Sequence, residues 1–433
     1  MRNKFLVLLS LLCFAGLSHA GPKIEHWQTT NGARVFYVNA PGLPIVDLRI
    51  VFDAGSARDA DKAGLSGLTN SLLDEGTGAL TADNVAEQFE GLGAQYGASA
   101  LRDMSVVSLR SLSDKATLDK ALDLFSQVVA APSFPEKSFQ RNRKAMLIGL
   151  QVESKRPNAI ASKTFYKQVF NDHPYAIDGK GTETSLTNMQ RQDVLDFHKR
   201  YYVANNAVIA IVGELSKERA TVLAERVSAG LAKGERAAKL EKVTGLSNGI
   251  NKRIQHKSQQ THILVGQPGM HRSDPDYMTL YVGNHIFGGS GLVSRLSDSI
   301  REQRGLAYSV YSYFSPMRED GPFMMGMQTK NSQANDALKI LNEELVKYVN
   351  EGPSEDELKR SKQNITGGFA LRVDSNKKIT EYIAMIGFYD LPLDYLDTFN
   401  ARVEAVTVAK IKDAFKRRIH PDKLVTVTVG GDS

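Results

Sequence analysis

Apolar positions along the chain fall into two kinds of run. Arg34–Val38 and Ile45–Phe52 are short, rich in β-branched and aromatic residues, and read as strands. Helical periodicity follows at 64–75, 83–92, 115–130 and 134–155. Ala207–Val212 is a further strand-like run, closed by Gly213-Glu214. A second series repeats the plan: a strand over Thr261–Val265, helices at 275–287, 292–303, 333–350, 354–367 and 376–386, then a strand over Leu424–Val429 before Gly430-Gly431. The closing runs AVIAIVGE and LVTVTVGG read as copies of one another. Neighbouring strand runs, without a strict strand–helix–strand alternation, predict an α+β fold of two similar domains. The stretch 231–259 is polar and charged, and its middle reads as a linker. The expected division is a leader at 1–20, a domain at 21–235, a linker at 236–253 and a domain at 254–433.

The leader changes the cellular picture. Arg2 and Lys4 precede the apolar run Phe5–Leu17, which is too short to span a membrane, and Ser18-His19-Ala20 offers small residues for cleavage before Gly21. Secretion to the periplasm is expected, with no membrane attachment after cleavage. Cys13 is the only cysteine and leaves with the leader, which excludes disulfides, thiolate nucleophiles and cysteine-ligated metal. Charge is nearly balanced, 54 Lys+Arg against 48 Asp+Glu, with no long basic block, so no nucleic-acid partner is expected.

Two passages carry candidate chemistry. In GLSGLTNSLLDEGTGAL, from Gly64, the residues Leu65, Leu68 and Leu72 make one apolar helix stripe. Gly67, Asn70 and Ser71 fall on a neighbouring face, and Gly76-Thr77-Gly78 ends the helix. In IFGGSGLVSRLSDSIREQRGLAYSVYSYF, from Ile286, the glycines Gly288, Gly289 and Gly291 read as a flexible loop. It lacks the Lys-Ser/Thr of a phosphate loop. A helix is expected from about Leu292, with Leu296 and Ile300 on its stripe and Gly305 as its cap. Ala307–Phe314 alternates like a strand.

Both passages resemble the pitrilysin/insulinase peptidase family. That family places H-x-x-E-H on the first helix: two histidines for zinc and a carboxylate as general base. Gly64, Leu65, Gly76 and Thr77 match its frame, but Gly67, Asn70 and Ser71 stand at the three chemical positions, and none is a zinc ligand in that geometry. The third ligand position falls near Ile148 or Gly149, with Glu153 several residues late. The other histidines are scattered and offer no substitute pair. In the second passage the resemblance assigns Arg301 and Tyr308 as the pair that reaches the active site; Arg304 is the competing arginine, within the turn. A guanidinium can hold substrate carbonyls, and a phenol can donate to the oxyanion of an attacked peptide. The strand after Gly93 resembles the family's substrate-pairing edge, with Gly97 where asparagine is usual. His262, in QTHILVGQPG, is expected to pack.

The resemblance implies two domains, each a mostly antiparallel sheet flanked by helices, forming half of a shell. It implies a non-catalytic, substrate-binding subunit that binds no cofactor itself, paired with a homologous zinc-binding peptidase subunit and acting on peptides. A peptide-binding scaffold without a role in turnover, and an autonomous peptidase with a rebuilt site, are the alternatives.

Overall fold

The computed structural model describes residues 23–431. The leader and Cys13 lie outside them. In chain order the strands are β1 (Glu25–Gln28), β2 (Arg34–Asn39), β3 (Ile45–Phe52), β4 (Gly76–Thr77), β5 (Leu80–Thr81), β6 (Gln95–Ala100), β7 (Ser105–Leu112), β8 (Ala207–Gly213), β9 (Ile250–Ile254), β10 (Gln260–Met270), β11 (Ser309–Phe314), β12 (Gly321–Lys330) and β13 (Val425–Val429).

Two large sheets result, ordered β1-β2-β8-β3-β7-β6 and β11-β12-β10-β13-β9. Every residue of β8 is buried, as its unbroken apolar run requires of a central strand. β13 alternates, with Val425, Val427 and Val429 buried. The halves share one topology. In each, the first common strand runs parallel to the last (β2 to β8, β9 to β13), and the other pairings are antiparallel. β6 and β11 are therefore equivalent, and both are edges. The copied runs AVIAIVGE and LVTVTVGG occupy equivalent strands, β8 and β13.

No helix or strand falls between Ala229 and Gly249. β9 begins at Ile250, inside the segment read as linker, because its backbone completes the open side of β13.

The halves exchange helices. Pro157–Phe170, from the first half, packs on β10 and β13, burying Ala161, Phe165, Val169 and Phe170. Asn376–Phe388, from the second, packs on β8, β3 and β2 and buries Ile383, Ala384, Ile386 and Phe388. Polar groups pin the same junction. The Asp103 carboxylate accepts from Tyr175 Oη at 2.6 Å, from the Arg318 backbone N–H at 2.7 Å and from Tyr389 Oη at 2.9 Å. Burial nevertheless pushes this carboxyl above its ordinary range. Arg318 also pairs with Asp53 at 3.4 Å.

Candidate functional site

The helix expected at 64–75 is regular only over Leu65–Asn70. Asp59 holds its start, accepting from the backbone N–H groups of Gly64 at 2.7 Å and Ser66 at 2.8 Å. Burial pushes the Asp59 carboxyl up to about 7 despite these donors. Leu65, Leu68, Leu72 and Leu73 are buried in the first core.

Two of the three degenerate positions, Gly67 and Asn70, are occupied by internal packing. A Cβ on Gly67 would sit closer than 3.0 Å to the carbonyl of Gly179, so backbone fills the space that a ligand side chain needs. Asn70 is buried and donates from Nδ2 to Ser105 Oγ at 2.6 Å, and Ser105 Oγ shares a 2.6 Å hydrogen bond with Tyr202 Oη. Burial pushes the Tyr202 phenol up to about 12. Ser71 is exposed and donates to the Leu68 carbonyl at 2.9 Å. Ile148 is exposed and Gly149 lies in open space. Glu153 pairs with Lys180. This set does not fit zinc, because no position offers imidazole, thiolate or an unengaged carboxylate.

Among the described residues one His–Asp–Asp cluster does converge: His271, Asp274 and Asp320. Asp274 is already engaged by the Arg418 guanidinium and by the backbone N–H of Asp276. A cation there would face that guanidinium.

The second passage departs from a single helix. Gly291–Val293 is a 3-10 turn, Ser294 is extended, and a π-type turn covers Ser297–Glu302. The break has a cause: Ser294 Oγ accepts from the Ser297 backbone N–H and so starts a new helical turn. The flexible-loop reading of the glycines needs correction. Gly288 and Gly289 lie in a π-helical turn, His285–Gly289. A Cβ on Gly288 would lie 2.6 Å from the Ser312 backbone nitrogen, and one on Gly289 would lie 2.8 Å from Asn284 Nδ2. Close packing requires both glycines. Gly291 alone sits in open space, at φ +63°.

Arg301 and Tyr308 come together. The guanidinium carbon lies 5.0 Å from the Tyr308 ring centroid, and Nε lies 3.3 Å from Glu302. Tyr308 is 84% exposed and immediately precedes the edge strand β11. No hydrogen bond engages its hydroxyl among the described residues. Neither residue lines the cavities of about 420 and 600 Å³. Arg304 is structural: Nη1 donates to the Ser299 carbonyl at 2.7 Å and to Ser299 Oγ at 2.8 Å. In the first half, Gly97 lies on the exposed edge strand β6, paired with Ser108 of β7. His262 lies within β10, and burial holds its pKa below the ordinary value.

Sequence reading missed Asp59, Ser105 and Tyr202. Their roles depend on contacts between residues far apart in the chain, and no local motif marks them.

Comparison with known proteins places these features. The model of the insulinase family, peptidase family M16, matches residues 34–182, and that of the peptidase M16 inactive domain matches 188–365. A solved structure of a peptidase M16 inactive domain from Pseudomonas fluorescens is 38% identical, with 95% of this chain and 98% of that chain covered at a TM-score of 0.92. A Helicobacter pylori relative named non-peptidase homolog YmxG is 25% identical over 422 residues, covering 96% of this chain and 95% of its own. An uncharacterized zinc protease of Rickettsia felis is 26% identical over 378 residues, covering 85% and 89%. Similarity to an inactive domain and to a non-peptidase homologue agrees with a non-catalytic member.

Proposed function

The chain belongs to the M16 (insulinase) family of peptidases, and from that premise we propose that it is the non-catalytic, substrate-binding subunit of a heteromeric zinc peptidase. A homologous partner supplies zinc and the activated water. Arg301 holds the extended peptide, and the Tyr308 phenol donates to the oxyanion that forms when the carbonyl is attacked. Substrates are unfolded peptides, and the complex works in the periplasm, to which the leader directs the chain.

The observation that carries this reading is the outward pair. Arg301 and Tyr308 are adjacent, Tyr308 is 84% exposed, and its hydroxyl is uncommitted. The cavities at 420 and 600 Å³ do not include them. On this reading, chemistry at the pair takes place across a space that another subunit closes. The side chains at two of the degenerate positions, Asn70 and Ser71, are meanwhile committed to internal hydrogen bonds.

The test uses the chain and a co-purified zinc-containing homologue, mixed and assayed with a quenched fluorescent peptide. Tyr308→Phe is expected to lower kcat by about 10²–10³ while gel filtration shows unchanged assembly. Unchanged cleavage with intact assembly would instead support the scaffold alternative.

A further inference from the structure

A cavity of about 420 Å³ opens beside the far end of the strand that Tyr308 begins. Two arginines line it, Arg272 and Arg372, with Tyr277, Tyr281, Ser312 and Ser315. No Asp or Glu is among its lining residues. By contrast Arg34, Arg58, Arg110, Arg219, Arg226, Arg295, Arg417 and Arg418 all pair with carboxylates. Neither cavity arginine has a carboxylate partner among the described residues. Arg272 donates from Nη1 to Tyr277 Oη at 2.9 Å, and its Nε is buried without an acceptor. Its guanidinium lies 5.5 Å from the Tyr389 ring, so aromatic groups hold it in place. Arg372 is exposed at the mouth, 5.9 Å from the Tyr281 ring. One buried guanidinium and one at the mouth, with phenols and serine hydroxyls in a part-enclosed space, suit a planar anion.

The strand edge shows where such an anion would come from. β11 is the edge of its sheet, open to an added strand near Tyr308. It is closed at Ser312. Asn284 Nδ2 donates to the Ser312 carbonyl at 3.1 Å, and the turn His285–Gly289 crowds the Ser312 nitrogen. A peptide paired with β11 from Tyr308 must stop after about four residues, roughly 14 Å at about 3.4 Å per residue. It stops at the cavity.

We propose that the Arg272–Arg372 cavity is a carboxylate-binding subsite, and that it takes the C-terminal carboxylate of a peptide lying along β11. The proposal rests on the reading of Tyr308 given above and adds a substrate class: peptides whose free C-terminus lies about four residues beyond the bond presented to Tyr308.

The test needs only the full chain. Fluorescein-labelled decapeptides without acidic side chains are titrated by anisotropy in three forms: a free C-terminal acid, the C-terminal amide, and an amide bearing one Glu near the end. Inorganic phosphate serves as competitor. The free acid is expected to bind at least about tenfold more tightly than the neutral amide, the equivalent of one charge-assisted hydrogen bond. Arg272→Met should erase that preference. Arg372→Gln, at an exposed position that leaves the fold intact, should reduce it severalfold, which keeps the test valid if the Arg272 variant fails to fold. Equal binding of acid and neutral amide would overturn the subsite. Preference for the Glu-bearing amide alone would overturn the C-terminal assignment, and so would phosphate binding without any preference for the acid peptide. Tyr308→Phe separates the two readings. It should leave the acid preference intact, so a preference that persists while Tyr308→Phe leaves turnover unchanged sinks the in-trans reading and not the subsite.

Discussion

Restoring the metal motif tests whether this helix merely lost its ligands or has been rebuilt. The variant is Gly67→His, Asn70→Glu, Ser71→His. At 67 any side chain meets the Gly179 carbonyl closer than 3.0 Å, and the obstacle is backbone. Overpacking of that kind costs about 1–3 kcal/mol. At 70 the site is 3% exposed. The hydrogen bond from Nδ2 to Ser105 is lost, worth about 1 kcal/mol. A carboxylate there would also face the Val106 carbonyl, which lies 3.5 Å from Asn70 Nδ2, and burying a charge without a cation costs several kcal/mol. At 71 the side chain is exposed and the change should be near neutral. The total is about 4 kcal/mol or more, against a typical domain stability of about 5–15 kcal/mol. A fall in Tm of roughly 8 °C or more is expected. Plasma mass spectrometry should find no stoichiometric zinc, and adding Ile148→Glu or Gly149→Glu should not rescue it. A variant that melts within a degree or two of the parent and carries about one zinc per chain would refute the argument.

Two further outcomes follow from buried carboxyls. The folded chain holds a proton on Asp59 up to about pH 7, whereas the ordinary carboxyl releases it near 3.8. Its contribution to stability is therefore whole below about pH 4 and lost as pH rises through 7, by up to about 4 kcal/mol. Melting from pH 4 to 8 should show this slope in the parent relative to Asp59→Asn, and parallel curves would count against it. Asp103→Ala removes the shared acceptor of Tyr175, Arg318 and Tyr389 at the junction of the halves. It should cost about 3–5 kcal/mol and speed hydrogen exchange in the Asn376–Phe388 helix, while Asp103→Asn, which keeps one acceptor oxygen, should cost less.

Periodicity carried most of the fold. The strands 34–38, 45–52, 207–212 and 424–429, and the long helices, were legible because each buries one face or both. β8 shows the clearest case, since its unbroken apolar run left no other place for it than a sheet centre. The likeness of AVIAIVGE to LVTVTVGG was also legible, because equivalent strands face equivalent cores. The strand Gly321–Lys330 and the helices Pro157–Phe170, Arg191–Tyr201, Lys217–Ser228 and Val408–Arg418 escaped, and two local features were misread. The helix at 292–303 broke because Ser294, an ordinary polar residue in the sequence, captures the Ser297 N–H and restarts the helix. The glycines at 288 and 289 looked flexible because nothing in the local pattern shows that β11 lies against Gly288 and Asn284 against Gly289. For the site, the missing ligands at 67, 70 and 71 could be read directly. The substitutes that fill their space, Gly179 and the Asn70–Ser105–Tyr202 chain, come from positions as much as 132 residues away, beyond any local pattern.

The duplication makes the loss intelligible as a division of labour between equivalent parts. β6 and β11 are the same strand of the same topology, each an open edge. In the first half the elements near that edge are sealed: Ser105, at the start of β7, is spent on Asn70 and Tyr202. In the second half the corresponding edge begins at an exposed phenol and ends at arginines that have no carboxylate partner among the described residues. A helix from each half is locked onto the other's sheet, with Asp103 bonded across the same junction. On the proposed reading, the edge of the second half acts on a peptide held against it by a second subunit.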